Sequence, residues 1–173
     1  MNWLLEIICG LCIAFPLRLW VVNVAHIQGR SMLPTLRDRE FSLVLRLPYR
    51  FRRPRRQEVV ICHYPGRKVK WCRHIPQAFV KRVIALPGDT VEFIEGAVHV
   101  NGQPLEEPYL DPVRCRFLRE RPPRVLGPDE YFVMGDNRDS SNDSRSVGPL
   151  HRRDVRGRVV CVLWPLRRIR KVR

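Results

Sequence analysis

Lysine is scarce in this chain. Of its 32 basic residues only Lys68, Lys70, Lys81 and Lys171 are lysines, and the other 28 are arginines. Arg never gives up its proton, so each Lys marks a place where a titratable amine is a candidate. Carboxylates are also few, 17 against 32 cations, which leaves +15 over 173 residues. That excess says nothing about fold but favours polyanionic partners such as nucleic acid or an anionic membrane face. Six cysteines (Cys9, Cys12, Cys62, Cys72, Cys115 and Cys161) are too few to staple a miniprotein, and the chain is long enough to bury an ordinary core. Cys9 and Cys12 form a CxxC inside an apolar run, where they read as small hydrophobes rather than a redox pair. Cys62, His63, Cys72 and His74 miss the two-by-two spacing of a zinc site. If 64–67 is a two-residue hairpin turn, Cys62 faces Val69 rather than Cys72, against a bridge between the two cysteines.

The common chemical signatures are missing as well. There is no GxxxxGK[ST], no GxGxxG and no HExxH. A GxSxG elbow begins at Gly29 and is lost at Leu33. A calcium loop starting at Asp139 would need Gly and Glu where Ser144 and Leu150 stand. The five histidines share no pattern, so a Ser-His-Asp triad has no obvious His. Neither a metal nor a cofactor is expected.

What is present begins with a long apolar run. Residues 4–24 span 21 positions, enough to cross a bilayer as a helix. Glu6 and Arg18 lie near its ends, and Trp3 and Trp20 suit the two interfacial belts. The flanks lack the basic start and small-residue cleavage site of a secretory signal, so the run reads as an uncleaved transmembrane anchor, 3–24. The remainder reads as β structure. Short apolar runs at 41–47, 59–63, 69–71, 79–86, 90–95, 97–100, 131–134 and 158–164 are separated by Pro and Gly. Glu95-Gly96 and Asn101-Gly102 are turn signals. A mainly antiparallel β domain is expected over 25–166, with 112–128 an exposed Arg/Pro-rich excursion and 167–173 a basic tail. The basic stretches read as solvated faces, with contact to anionic lipid headgroups as a second reading.

Three segments stand out. Gln28 to Leu36 places Ser31 on a turn made rigid by Pro34, a few residues beyond the anchor. In 78–86, Lys81 and Arg82 occupy opposite faces of one strand, so only one of them can face solvent. An inward Lys81 would be desolvated, lose its proton readily and serve as a base, which Arg cannot do. The alternative buries Arg82 instead, and the residues alone leave the two readings about even. Residues 135–145, Gly135-Asp136-Asn137-Arg138-Asp139-Ser140-Ser141-Asn142-Asp143-Ser144-Arg145, are nearly pure hydrogen-bonding capacity.

Together, in this order and after an anchor, the three segments resemble the membrane-bound type I signal peptidases. Ser31-Met32-Leu33-Pro34-Thr35-Leu36 resembles that family's nucleophile box, Lys81 to Asp89 its general-base box, and 135–145 its acidic signature. The resemblance implies a Ser-Lys dyad of Ser31 and Lys81. It also implies that Ser141 orients the lysine amine, that Asp143 and Arg145 form a supporting ion pair, and that Asp136 lies in the same layer. Some family members carry a Ser two places before the nucleophile. Gly29 stands there, so the oxyanion would rely on the Ser31 backbone N–H with help from a water or the Gly29 backbone. By the same resemblance Ile27, Met32, Leu36, Phe79 and Val80 line the substrate pockets. The implied enzyme is a single-pass, monomeric serine endopeptidase. It removes signal peptides from preproteins on the outer face of the cell membrane, touching anionic lipids and no nucleic acid. Two alternatives remain: a non-catalytic basic membrane protein binding lipid or nucleic acid, and an organellar inner-membrane peptidase of the same clan.

Overall fold

A computed structural model of the chain describes residues 3, 6–10, 12, 22–69, 72–115 and 119–172. Alternating burial builds its strands. In β2 (Phe41–Leu45) Ser42 and Val44 are buried, and in β5 (Thr90–Ile94) Val91 and Phe93 are buried, the period of two that a strand imposes. The remaining strands are β1 (Val22–His26), β3 (Val59–Val69), β4 (Cys72–Ala85), β6 (Ala97–Val100), β7 (Gln103–Pro104), β8 (Arg121–Val125), β9 (Glu130–Met134), β10 (Leu150–His151), β11 (Val155–Trp164) and β12 (Arg170–Lys171). They form two antiparallel sheets. The larger runs β1-β2-β11-β3-β4-β9-β10, with β12 added to β11, and the smaller runs β7-β6-β5-β8. The turns at Glu95-Gly96 and Asn101-Gly102 both have positive φ at each residue, which is what tight hairpins demand.

Strands β4 and β9 are covered on both faces. Val83 and Val133 enter a core with Val60, Tyr64 and Leu150, while Ile84, Phe132 and Met134 enter another with Val91, Phe93 and Val98. A third core under β1, β2 and β11 holds Ile27, Met32, Leu36, Val44 and Val162. The mainly antiparallel β fold expected from the sequence is therefore present.

Several boundaries differ from expectation. The predicted anchor, 3–24, falls largely outside the described residues. Its last positions, Val22 to Val24, belong to β1, where alternating β-branched residues pair with Leu45 to Leu43 of β2. What is described before residue 13 is helical, with Ile7 and Ile8 exposed. Among the described residues no helix is long and apolar enough to cross a membrane. The predicted turn at 64–67 is instead part of β3, which pairs Cys62 with Phe79 and Val69 with Cys72. The two cysteines are thus separated along the hairpin, and Cys62 is a free thiol. The excursion 112–128 contains β8, which joins the second sheet through β5, and Leu126 is buried. The tail also folds back. β12 pairs with β11, Val172 is buried, and Arg170 forms an ion pair with buried Glu40.

Candidate active site

Ser31 sits in the loop between β1 and β2. That loop is closed at its base by Ile27 N–H donating to Glu40 O and Arg39 N–H donating to Ile27 O, at 2.8 and 2.9 Å. Inside it, Leu33 N–H donates to Arg30 O and Leu36 N–H to Met32 O, so the backbone around Ser31 is wound into tight turns. Gly29 has φ +96°, where a side chain would be strained, so the backbone itself calls for glycine two places before Ser31.

The 135–145 segment holds this loop from the other side. Asn137 N–H donates to Ser31 O at 3.0 Å, and Asn137 Nδ2 donates to Arg30 O at 3.1 Å. Thr35 Oγ1 donates to Asp136 Oδ2. Asp136 accepts in turn from Arg82 Nε and Nη2, at 2.8 and 2.7 Å. Within the segment, Asp143 accepts from Arg145 Nε and Nη2, both at 2.9 Å, and from Gly135 N–H at 3.0 Å. Burial pushes the Asp143 carboxyl up, but Arg145, the Ser141 hydroxyl and the Gly135 N–H outweigh it and hold the group below the ordinary aspartate range.

Lys81 comes from β4, opposite Val60 of β3. It is 2% exposed, and its Nζ donates to Ser31 Oγ at 2.9 Å. Burial pushes its pKa below the ordinary lysine range, and the nearby Cys62, Asp143 and Asp136 oppose that shift without cancelling it. The expected choice between an inward Lys81 and an inward Arg82 does not arise. Both are buried, because each face of β4 is covered. Arg82 meets the Asp136 carboxylate, the Gln57 carbonyl and the face of the Tyr109 ring, 3.7 Å from its centroid.

A cleft of about 580 Å³ opens beside the Ser31–Lys81 pair. Ile27, Met32, Phe79 and Val80 line it as expected, together with Ile61, Ser140 and Asn142. Leu36 does not. It is fully buried in the core with Val44 and Val162, which claims its apolar side chain for packing instead. Two other expectations are corrected. The Gly29 N–H is not free for an oxyanion, since it donates to Asp38 Oδ1 at 2.7 Å. Ser141 does not hydrogen-bond the amine. Its buried Oγ lies by the Asp143 carboxylate and against Gly135, where a Cβ would overlap it.

The structure also adds residues that sequence reading did not single out. Thr35, Asn137 and Arg138 lay inside the quoted segments without a role. Glu107 and Tyr109 carried no signal beyond an acidic pair in a basic chain. Glu107 forms a buried ion pair with Arg138, and Tyr109 Oη donates to Glu107 at 2.6 Å. Chemically, the site offers a hydroxyl in contact with a desolvated amine, beside an open cleft.

Comparison with known proteins gives consistent relatives. The family model described as signal peptidase, peptidase S26, matches residues 1–164. A signal peptidase I of Leptolyngbya laminosa is 37% identical over 158 residues, covering 91% of this chain and 76% of the relative. A probable signal peptidase I-1 of Synechocystis is 38% identical over 92% of this chain and 80% of its own length. A signal peptidase I of Bacillus caldolyticus is 32% identical, covering 91% and 88% respectively. The crystal structure of a signal peptidase I from Enterococcus faecalis superposes with a TM-score of 0.48 at 27% identity, covering 62% of this chain and 97% of that one.

Proposed function

The chain belongs to the signal peptidase family, peptidase S26, and from that premise we propose a membrane-bound serine endopeptidase that cuts N-terminal signal peptides from preproteins with a Ser-Lys dyad. The observation that carries the reading is the 2.9 Å contact between Lys81 Nζ and Ser31 Oγ in a place where the amine is buried.

In this mechanism neutral Lys81 takes the Ser31 hydroxyl proton as Oγ attacks the carbonyl of the signal peptide's last residue. The oxyanion is met by the Ser31 backbone N–H. Such a donor is worth roughly 3–4 kcal/mol in comparable hydrolases. With Gly29 N–H engaged by Asp38, the second donor is a water rather than that amide. Protonated Lys81 returns its proton to the leaving amine, then takes one from the water that attacks the acyl-enzyme and passes it to Ser31 Oγ as the ester bond breaks, which restores the starting state. The substrate enters extended between the 27–29 and 77–80 segments, and its small side chains fit the pockets of Ile27, Met32, Phe79 and Val80.

The apolar residues ahead of β1 would anchor this domain, with the cleft on the outer face of the cell membrane. Exposed Ile7 and Ile8 on their described helical part are consistent with a lipid environment. Arginine-rich faces would meet anionic headgroups. The test is cleavage of a preprotein in detergent by wild type and by Ser31→Ala, with the product's N-terminus sequenced. The reading fails if Ser31→Ala retains wild-type turnover.

A further inference from the structure

The lining of the cleft is of mixed chemistry. Ile27, Met32, Ile61, Phe79 and Val80 are apolar, whereas Gln28, Arg30, Gln77, Ser140 and Asn142 are polar. If the signal peptide's small residues occupy the apolar lining, the chain beyond the cut bond is left to the polar lining. Arg30 is the permanently charged residue of that polar lining. It immediately precedes Ser31, is exposed, and forms no ion pair among the described residues. Its backbone is fixed, because Arg30 O accepts from both Leu33 N–H, at 3.2 Å, and Asn137 Nδ2, at 3.1 Å. The guanidinium therefore swings from a point whose position relative to Ser31 Oγ is set by the fold.

The charges around it do not cancel it. The ionisable side chains lining the cleft are His26, Arg30 and Lys81, with no carboxylate among them. Lys81 must be uncharged to act, and His26 is stacked on Phe41. Asp38, across Gly29, is half exposed, bound to the Gly29 N–H and 3.8 Å from the Arg39 guanidinium. Arg30 is thus the permanent charge lining the cleft, one residue from the nucleophile.

We infer that Arg30 is a specificity-determining residue that favours an acidic side chain within the first two residues after the cut bond and disfavours a basic one. The inference rests on the peptidase reading. It adds a selection on the mature sequence that the apolar pockets cannot make. An attraction of this kind, between partly exposed charges, gives roughly a five-fold preference and weakens with salt.

The test uses the full chain in detergent and peptides spanning a signal-peptide cleavage site. They are identical except for Asp, Ala or Lys at the first or second position after the bond. Wild type is expected to give a kcat/KM about five-fold higher for Asp than for Lys at one of those positions, with the ratio falling towards one in 0.5 M salt. Arg30→Lys should keep the preference, Arg30→Gln should abolish it and Arg30→Glu should reverse it. A merely structural role for Arg30 would change all peptides alike. Equal Asp and Lys rates in wild type, or a preference that persists in both Arg30→Gln and Arg30→Glu, would overturn the inference while leaving the peptidase reading intact. Failure of wild type to cut any of the peptides would instead sink that reading, and the inference with it.

Discussion

Arg82 and Asp136 face each other out of reach of solvent, joined by parallel hydrogen bonds of 2.8 and 2.7 Å, one residue along β4 from Lys81. Asp136 also accepts from Thr35 Oγ1, so the pair ties the strand that carries the base to the loop that carries the hydroxyl. Removing one partner strands the other charge in the interior. Arg82→Met should cost about 3–5 kcal/mol in urea unfolding. The double variant Arg82→Met/Asp136→Leu should recover much of that stability, because an apolar pair of similar volume can replace a buried ion pair. Its peptide cleavage should nonetheless stay well below wild type, since Thr35 has lost its acceptor. Full activity in the refolded double variant would show that the pair does not position the site.

Lys81 sets the pH dependence. An amine acts as base only when unprotonated, and burial holds the Lys81 pKa below the ordinary lysine range. Cleavage should therefore rise with pH through that depressed value and level off before the ordinary value of about 10.4. Lys81→Arg should be as inactive as Lys81→Ala, a loss of about a thousand-fold or more, because guanidinium keeps its proton. A rate profile governed by a group near pH 6.5, with turnover surviving in Lys81→Arg, would assign the base to a histidine instead.

Local pattern made much of this readable. The strands at 90–94 and 97–100 follow from alternation and from a turn whose residues tolerate positive φ. Ser31, Lys81 and the 135–145 segment drew notice as a serine on a stiff turn, a lysine in an apolar strand and a polar block behind a buried one, but no segment alone assigned a role; the roles came from the resemblance of the three taken together and in order. What escaped depends on tertiary context. No local signal says that β4 is covered on both faces, so the burial of both Lys81 and Arg82 was not legible. β8 escaped because Pro122 and Pro123 argue against a strand, yet β8 lies at the edge of its sheet, where missing donors cost little. Leu36 could be read as pocket or core with equal ease, since both want an apolar side chain. The Asp38 bond to Gly29 N–H joins residues nine apart across a loop whose path only the fold determines.

Gly135 is where the acidic segment touches the nucleophile loop. A Cβ built there would overlap the Ser31 carbonyl oxygen and the Ser141 side chain. The Ser31 carbonyl is backbone held by Asn137 N–H and cannot yield without moving the nucleophile. Gly135→Ala should therefore destabilise the protein by about 1–3 kcal/mol, as overpacking does, and reduce kcat far more than it raises KM. Adding Ser141→Gly to relieve one of the two clashes should return part of the stability but little of the turnover. Recovery of both together would place the strain at Ser141 rather than at Ser31.

Lys81 should also make the protein less stable than its fold allows, in a way that depends on pH. The unfolded chain holds the lysine proton up to about pH 10.4, whereas the folded chain releases it at a lower pH. Between those two values the unfolded state binds more protons, so wild-type stability rises with pH, by about 1.4 kcal/mol per pH unit at most. Below the folded pKa the penalty is complete, and above the unfolded pKa it is gone. Lys81→Met, which keeps the stem and removes the amine, should be more stable than wild type at pH 7. Its advantage should shrink steadily as pH approaches 10.4. The lost bond to Ser31 Oγ subtracts a constant from that difference but cannot tilt it. Chemical denaturation of both proteins from pH 6 to 10.5 measures the slope, and parallel stability curves would mean that the Lys81 amine is not desolvated in the native state.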